Sequence, residues 1–398
     1  MQFILFIGDR IPAILWINNN ESGLKGVDEM SIIREEIFVA KKLVEEKIDL
    51  LIDNLTTIKD DNGEFLLDFD GLKVDDKSWS VWNWPQGVGL YGIYKNYQMT
   101  KNVRVYEVVN EWFEARMKEG APPKNVNTMA PLLTMAYLYE DTKDSRYLPY
   151  LEQWAEWVMY EMPRTKENGL QHATYGPENK NQLWDDTLMM TVLPLAKIGK
   201  LLNRLEYLEE ARYQFMIHIK YLMDKRTGLW YHGWTFDGNH NYAEAFWARG
   251  NCWLTIAIPE IIEILELPKE DALRKLLMET LEAQVRTLAS YQSKSGLWHT
   301  LLDDPSSYVE SSATAGFTYG ILKAIHKRYL PKEYKEVAYL AISGLLEQID
   351  ETGEVQNVSI GTGMGDDLDF YRNIGITAMP YGQSLTVLCL TELLVSYC

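Results

Sequence analysis

The chain has 398 residues, of which 46% are hydrophobic, and a formal net charge of -18 at pH 7. This length can bury a large core, and the acidic charge argues against nucleic acids and anionic membrane surfaces as partners. The three cysteines, Cys252, Cys389 and Cys398, are too few and too scattered for a disulfide framework or a zinc site, which fits a reducing, cytoplasmic location.

The first 30 residues are predicted to be an irregular N-terminal segment. Residues 3–7 are apolar, but Asp9 and Arg10 interrupt the run and no basic stretch precedes it, so we expect no signal peptide. We also expect no membrane anchor, because the chain contains no run of about 18 apolar residues, the length that a transmembrane helix needs.

Residues 31–398 are predicted to form a single helical domain. Residues 32–58 carry apolar side chains at helical spacing with lysine and glutamate between them, which is typical of a helix with one solvated face. A polar loop and the tryptophan-rich stretch 79–84 follow. They lead into a more apolar helix that ends near residue 97.

Pairs of one charged and one apolar helix then repeat along the chain. Charged segments are predicted near 101–118, 144–162, 205–224, 268–292 and 332–349, and more apolar segments near 127–141, 186–203, 247–265, 310–327 and 381–397. With the first pair this makes about twelve helices in six pairs, whose apolar members begin roughly 40 to 70 residues apart, a spacing typical of a repeated two-helix unit.

The loops before the apolar helices also repeat. Residues 169–172 (GLQH), 228–232 (GLWYH) and 296–299 (GLWH) each follow a charged helix. Six hairpins can stack as an open solenoid or close into a ring, and six long loops on one edge favour the ring, because long loops in a compact domain are usually functional. The predicted fold is therefore an all-α (α/α)6 barrel with a pocket where the inner helices begin.

Closure of the ring would bring together residues that lie far apart in the sequence. The starts of the inner helices carry Trp84, Asn127, Asp186, Trp247 and Arg249. Indole rings stack on the C–H faces of sugars while amides and charged groups bind the hydroxyls. The predicted pocket therefore suits a carbohydrate, although core filling remains an alternative role for the tryptophans.

An ordered set of motifs resembles the unsaturated rhamnogalacturonyl hydrolases of glycoside hydrolase family 105, which are related to the unsaturated glucuronyl hydrolases. The motifs are 171–174 (QHAT), 182–190 (QLWDDTLMM), 231–234 (YHGW), 246–251 (FWARGN), 297–299 (LWH) and 310–314 (ESSAT). The resemblance covers residues 80–395. Two departures, Ala248 in place of an expected glycine and a compact 235–244 loop, leave the exact substrate open.

The resemblance implies a hydration reaction. Enzymes of this family release a 4,5-unsaturated galacturonic acid from the non-reducing end of rhamnogalacturonan-derived oligosaccharides in pectin degradation. They protonate C4 of the vinyl ether and add water at C5, and the hemiketal then opens. One carboxyl group can serve as acid and then as base, and Asp186 matches that residue. No cofactor and no metal are expected.

The resemblance also implies a set of substrate-binding residues. Arg249 and His232 would contact the substrate, Arg249 by a bidentate grip on the uronate, and Trp247 would stack on the sugar. Asn127 stands where related unsaturated uronyl hydrolases often have an acid. Met190 would lie one helical turn from Asp186 and beside the reacting ring. The remaining wall candidates are Trp84, His172 and His299.

Asp185 and Asp186 are adjacent acids at the start of one helix. Their side chains would point about 100° apart in an α-helix, and Asp185 is the better capping candidate. A helix N-terminus lowers the pKa of a carboxyl group, which opposes general-acid catalysis by Asp186. Burial and neighbouring charges would have to outweigh the helix dipole.

The tract 361–367 (GTGMGDD) is rich in glycine and acids. It lacks the lysine that would follow in a phosphate-binding loop and any preceding strand. The acids Asp366, Asp367 and Asp369 do not have the spacing of a calcium loop, so a solvated loop is predicted.

Alternative functions remain open at this point. One alternative is that the chain hydrolyses another unsaturated uronyl oligosaccharide. Others are that it is an (α/α)6 sugar epimerase or an inverting glycosidase. An epimerase needs an acid and a base on opposite faces of one ring, and an inverting enzyme needs two carboxylates. A helical scaffold that binds proteins is a further alternative. The expected assembly is a monomer or a small homo-oligomer.

Overall fold

The computed structural model describes residues 3–7, 11–16, 28–69, 72–176 and 178–397. Strands β1 (Phe3–Ile7) and β2 (Ile11–Trp16) pair as an antiparallel hairpin, so the prediction of an irregular N-terminus is wrong for these residues. The hairpin precedes helix α1 (Asp28–Thr57), which begins before residue 31. Cys398 lies outside the described residues, and Cys252 and Cys389 are buried free thiols.

Helices account for most of the remaining elements. They are α2 (Trp84–Thr100), α3 (Val103–Glu119), α4 (Val126–Met129), α5 (Pro131–Thr142), α6 (Leu148–Glu156), α7 (Leu193–Leu201), α8 (Leu205–Leu222), α9 (Ala248–Ile264), α10 (Ala272–Tyr291), α11 (Ser311–His326), α12 (Lys335–Glu347), α13 (Leu368–Arg372) and α14 (Pro380–Val395). A π-helical turn, Trp157–Glu161, extends α6, and another, Leu188–Val192, precedes α7.

The apolar helices form a closed ring. Going round it, α2 packs on α5, α5 on α7, α7 on α9, α9 on α11, α11 on α14, and α14 on α2. Helices α1, α3, α6, α8, α10 and α12 pack outside this ring. Because the inner helices are enclosed on both sides, nearly every residue of α9, α11 and α14 is buried. The predicted (α/α)6 barrel is confirmed.

Glycines allow two inner helices to approach closely. A Cβ atom at Gly320 of α11 would lie 2.1 Å from the Thr255 carbonyl oxygen of α9, and one at Gly316 would lie 2.7 Å from Cys252 Sγ. Any side chain at these positions would therefore push the two helices apart.

A buried polar network ties the inner helices together away from their N-terminal ends. Glu260 of α9 accepts hydrogen bonds from Tyr91 Oη of α2 at 2.7 Å, from Lys323 Nζ of α11 at 2.6 Å and from Tyr319 Oη. The ion pair and the two hydroxyl donors satisfy a carboxylate that burial alone would destabilise. Because this network joins the inner helices away from their N-terminal ends, we expect the cavity at the N-terminal end of the ring.

Short strands lie at that N-terminal end. Strand β3 (Leu66–Phe69) pairs with β4 (Leu72–Asp75), β5 (Gln182–Trp184) with β6 (Gly233–Thr235), and β7 (Trp298–His299) with β8 (Val309–Glu310), each pair antiparallel. Among the described residues, no helix is both long enough and apolar enough to cross a membrane.

Candidate active site

A cavity of about 690 Å³ opens where the inner helices begin. Its size suits an oligosaccharide end, and its walls combine indole rings with amides and charged groups. It is lined by Trp84, Asn127, His172, Thr174, Asn179, Gln182, Trp184, Asp186, Tyr242, Trp247, Arg249, Gly361, Thr362, Gly363, Met364, Asp366 and Phe370.

The two-stranded β5–β6 sheet positions Asp186. Trp184 pairs with Gly233 in this sheet, and the Asp185 backbone N–H donates to the His232 carbonyl oxygen at 3.1 Å. The chain then enters the π-helical turn Leu188–Val192. The sheet therefore holds the segment that carries Asp186 directly beside His232.

Asp186 is the buried acid of the cavity. Its Oδ2 atom lies 3.5 Å from His232 Nε2, and 19% of its side chain is exposed. Burial raises the pKa of Asp186, but the contact with His232 and the electrostatic interactions with the His232 and His172 rings outweigh burial and hold the pKa below its usual range. Without substrate, Asp186 is therefore a carboxylate.

His172 supports the wall next to Asp186. Its Nδ1 atom lies 2.8 Å from Thr187 Oγ1, and its ring stacks on Trp184 with centroids 4.3 Å apart and planes 4° apart. Burial lowers the pKa of His172 to about 4, although Asp186 acts in the opposite direction. The imidazole is therefore neutral at pH 7 and offers the cavity a hydrogen-bonding group without a charge.

His232 stands behind Asp186. Its Nδ1 atom lies 2.8 Å from the Tyr371 hydroxyl, which accepts a hydrogen bond from the Gly365 backbone N–H at 3.2 Å. With that hydroxyl as donor to Nδ1, the imidazole proton sits on Nε2, the atom that faces Asp186. Trp247 packs on the same ring, with centroids 4.4 Å apart, and fixes its orientation.

Asp185 is fully buried and caps no helix. Neither of its carboxyl oxygens has a hydrogen-bond partner of ordinary geometry among the described residues, so the predicted capping role is wrong. A Cβ atom at Gly250 would lie 2.4 Å from Asp185 Oδ2, which shows how closely α9 covers this carboxyl group. Burial, and next the charge of Asp186, raise the pKa of Asp185 well above its usual range.

Arg249 in the first turn of α9 binds a neighbouring loop. Its guanidinium donates to the carbonyl oxygens of Ser359 at 3.0 Å and Ile360 at 2.8 Å, and to the hydroxyls of Ser359 and Thr362. Glu310 Oε1 lies 3.6 Å away. The side chain, only 2% exposed, therefore anchors the 359–362 loop against the cavity.

Comparison with known proteins identifies the family. The family model described as Glycosyl Hydrolase Family 88 matches residues 57–397. The chain belongs to glycosyl hydrolase family 88. It is therefore a glycoside hydrolase, which confirms the enzyme class that the motifs predicted. The family 88 chain is similar to the unsaturated rhamnogalacturonyl hydrolase YesR of Bacillus subtilis (strain 168). The two are 30% identical over 88% of this chain and 96% of YesR.

Two solved structures are similar over nearly the whole family 88 chain. Both are crystal structures of possible members of the GH105 family. The one from Klebsiella pneumoniae has 54% identity and a TM-score of 0.91, and covers 95% of this chain and 100% of its own. The one from Salmonella enterica serovar Paratyphi A has 56% identity and a TM-score of 0.91, and covers 94% of this chain and 100% of its own.

Most of the predicted site residues line the cavity of the family 88 chain. Those that do are Trp84, Asn127, His172, Asp186, Trp247 and Arg249. His232 contacts Asp186 from behind. Met190 and His299 do not line the cavity. Met190 is 2% exposed within the core, and His299 hydrogen-bonds through Nδ1 to the Ser307 carbonyl oxygen.

The glycine-rich tract is the main part of the site that sequence reasoning missed. Gly361 to Met364, and Asp366, form one cavity wall, whereas a solvated loop was predicted. The signal was its position, because it lies in the long connection that leads to the inner helix α14, as the other loops of the site lead to inner helices. Thr174, Asn179, Gln182, Tyr242 and Phe370 also line the cavity without belonging to the predicted binding set.

We expect a chelator to leave turnover by this family 88 enzyme unchanged. One ligand atom each from Asp185, Asp186 and His232 lies within 4.8 Å of the others, which could hold a small cation, but a single proton on the two carboxyl groups also removes their repulsion. The test is an assay of the purified enzyme before and after dialysis against EDTA, with metal content measured in both samples. Activity that disappears with a lost metal and returns on its addition would contradict this expectation.

Proposed function

We propose that the enzyme releases a 4,5-unsaturated galacturonic acid from the non-reducing end of rhamnogalacturonan-derived oligosaccharides, by hydration of the ring double bond. The similarity to YesR, an unsaturated rhamnogalacturonyl hydrolase, over 88% of this chain supports the substrate class. The chemistry rests on Asp186 and its surroundings.

The observation that carries the proposal is a single buried carboxylate facing the cavity. Asp186 is mostly buried, whereas the other acid among the described residues of the cavity wall, Asp366, is exposed on a loop. Conventional glycosidases use two carboxylates that flank the scissile bond, and at least one must hold a proton. Hydration of a vinyl ether needs one carboxyl group that gives a proton and then takes one, which fits Asp186.

Asp186 would act in two steps. In the first, its protonated form gives a proton to C4, and positive charge develops at C5 and on the ring oxygen. In the second, the carboxylate accepts a proton from the water that adds at C5, which restores the acid. The resulting hemiketal opens and expels the next sugar, so one water is consumed and Asp186 is regenerated.

The walls supply binding and orientation. Trp84 and Trp247 present indole rings to the cavity, and Trp84 is held by stacking on Tyr381, with centroids 4.7 Å apart. The Arg249 guanidinium packs against Trp247 at 4.7 Å and gives the acidic protein a positive charge at the wall, where the uronate carboxylate would bind. Asn127 and His172 would bind hydroxyls.

The proposal predicts where solvent hydrogen enters the product. We expect incubation with an unsaturated rhamnogalacturonan disaccharide in deuterium oxide to remove the far-ultraviolet absorbance of the double bond and to place one deuterium at C4 of the released uronate. Mass spectrometry and proton NMR measure that label. Direct hydrolysis of the glycosidic bond would release a uronate that still carries the double bond, so release of the next sugar would precede the loss of absorbance instead of accompanying it.

The same assay separates the alternatives. Unsaturated disaccharides with a glucose or N-acetylhexosamine aglycone test for another unsaturated uronyl substrate. A saturated glycoside that is cleaved while the unsaturated one persists would support an inverting glycosidase. An interconverted sugar with no bond cleavage would support an epimerase. Either of these last two results would contradict hydration.

A further inference from the structure

Three polar atoms without conventional hydrogen-bond partners face one another behind the cavity. They are a carboxyl oxygen of Asp185, Asp186 Oδ2 and His232 Nε2, and one potential ligand atom of each of these residues lies within 4.8 Å of the others. Asp185 is 0% exposed, so its carboxyl oxygens cannot form hydrogen bonds with bulk water. A buried polar group without a partner costs stability, and three such atoms at one point indicate an interaction among themselves.

Two ionised carboxylates at this place would repel each other strongly. No lysine or arginine forms an ion pair with either aspartate among the described residues. His232 is the one basic contact of the pair there, and it approaches Asp186 at 3.5 Å. Where two carboxyl groups share a buried site without a cation, the favoured state keeps one proton between them.

We propose that Asp185 holds the proton that Asp186 delivers to the substrate, so that the two carboxyl groups work as one unit that carries a single proton. This inference rests on the proposed function, in which Asp186 is the general acid and base. Asp185 acts only through Asp186 and is therefore a positioning residue.

The proton balance follows from this sharing. The proton moves from Asp185 to Asp186 and then to C4, where the new C–H bond forms. The pair is then doubly anionic, a state that its mutual repulsion disfavours. Asp186 consequently takes a proton from the water that adds at C5, and the pair again carries one proton.

Other titratable groups near the pair do not replace Asp185. Cys252 of α9 and Tyr371 of α13 lie near the pair, and burial raises the pKa of each above its usual value, so both stay neutral. Burial keeps His172 neutral as well. His232 stabilises the charged form of Asp186, which leaves Asp185 as the group that keeps the proton.

The pH profile of Asp185→Asn tests the proposal. In the wild type, kcat/KM falls at high pH when the pair loses its last proton. The neutral amide of the variant cannot repel the Asp186 carboxylate, so this fall should move to lower pH by one unit or more. The wild-type-to-variant ratio of kcat/KM should then be about tenfold larger at pH 8 than at pH 5.

Two further variants separate proton storage from packing. Asp185→Ala should show the same displacement of the pH profile, although the smaller side chain leaves a cavity. Asp224→Asn changes another buried aspartate, one that binds Thr227 and Arg226 outside the cavity, and should keep the wild-type profile. Thermal unfolding measured for all variants identifies any that fail to fold.

The outcomes are distinguishable. A pH-independent loss of kcat/KM in both Asp185 variants, or a profile that stays in place, would overturn the role of Asp185 while hydration by the wild type still stands. Absence of deuterium at C4 in the wild-type reaction would overturn the proposed function itself. Activity restored to chelated enzyme by a metal would show that a cation, and not a proton, neutralises the pair.

Discussion

Replacement of Asp186 by asparagine is expected to lower kcat on the unsaturated disaccharide by on the order of 10³-fold while the protein still folds and binds substrate. Asparagine keeps the size of the side chain but can neither give nor take the proton, and general acid–base groups contribute on the order of 10² to 10⁴ in rate. The measurements are kcat from the far-ultraviolet absorbance and Kd from quenching of the tryptophan fluorescence of the cavity. The unfolding temperature should not fall, because the variant leaves only one ionisable carboxyl group at this buried place.

Asp366→Asn is the matched comparison, since Asp366 is the other acid among the described cavity-wall residues. An exposed side chain that takes no part in proton transfer should change kcat by less than roughly tenfold. Comparable losses in both variants would indicate two cooperating carboxylates and hence a conventional glycosidase mechanism. Full activity in Asp186→Asn would exclude Asp186 as the acid.

The fold could be predicted from the sequence because helix pairing leaves a local record. The lysines and glutamates of 32–58 and the nearly uniform apolarity of 381–397 identify an outer and an inner helix without any tertiary information. Ring closure follows from long loops that all precede inner helices. The β1–β2 hairpin was missed because residues 3–16 form a short apolar stretch that periodicity alone does not assign to strands.

Cavity-lining residues could be predicted from the sequence where their position at the start of an inner helix decides what surrounds them. Asp186 and Trp247 line the cavity as the barrel geometry requires. Met190 does not, because the prediction assumed α-helical rotation. The Leu193 N–H donates to the Leu188 carbonyl oxygen, an i to i+5 bond, so this wider turn rotates less per residue and Met190 enters the core.

The environments of Asp185 and Arg249 depend on distant residues and so could not be predicted locally. Gly250 covers Asp185 from another helix, and helix-capping statistics for adjacent residues carry no information about that contact. The partners of Arg249 lie 110 or more residues away in sequence, at Ser359, Ile360 and Thr362. A bidentate grip on the substrate was predicted, whereas within the protein the guanidinium binds a loop.

Arg249→Lys is expected to destabilise the protein by about 3 kcal/mol and to lower kcat/KM at least 100-fold. Lysine keeps the positive charge but lacks the planar fork that reaches several acceptors at once, so it leaves buried oxygens of the 359–362 loop without a donor and weakens the ion pair with the buried Glu310. The loop carries part of the cavity wall, and its displacement would misplace the substrate relative to Asp186. Thermal and urea unfolding measure the first effect, and initial rates measure the second.

The control is Arg226→Lys. Arg226 pairs with Asp224, but its side chain is 82% exposed, so this change should leave both the stability and kcat/KM nearly unaltered. A variant at position 249 that unfolds like the wild type and only raises KM would show that the guanidinium binds the substrate carboxylate without holding the 359–362 loop.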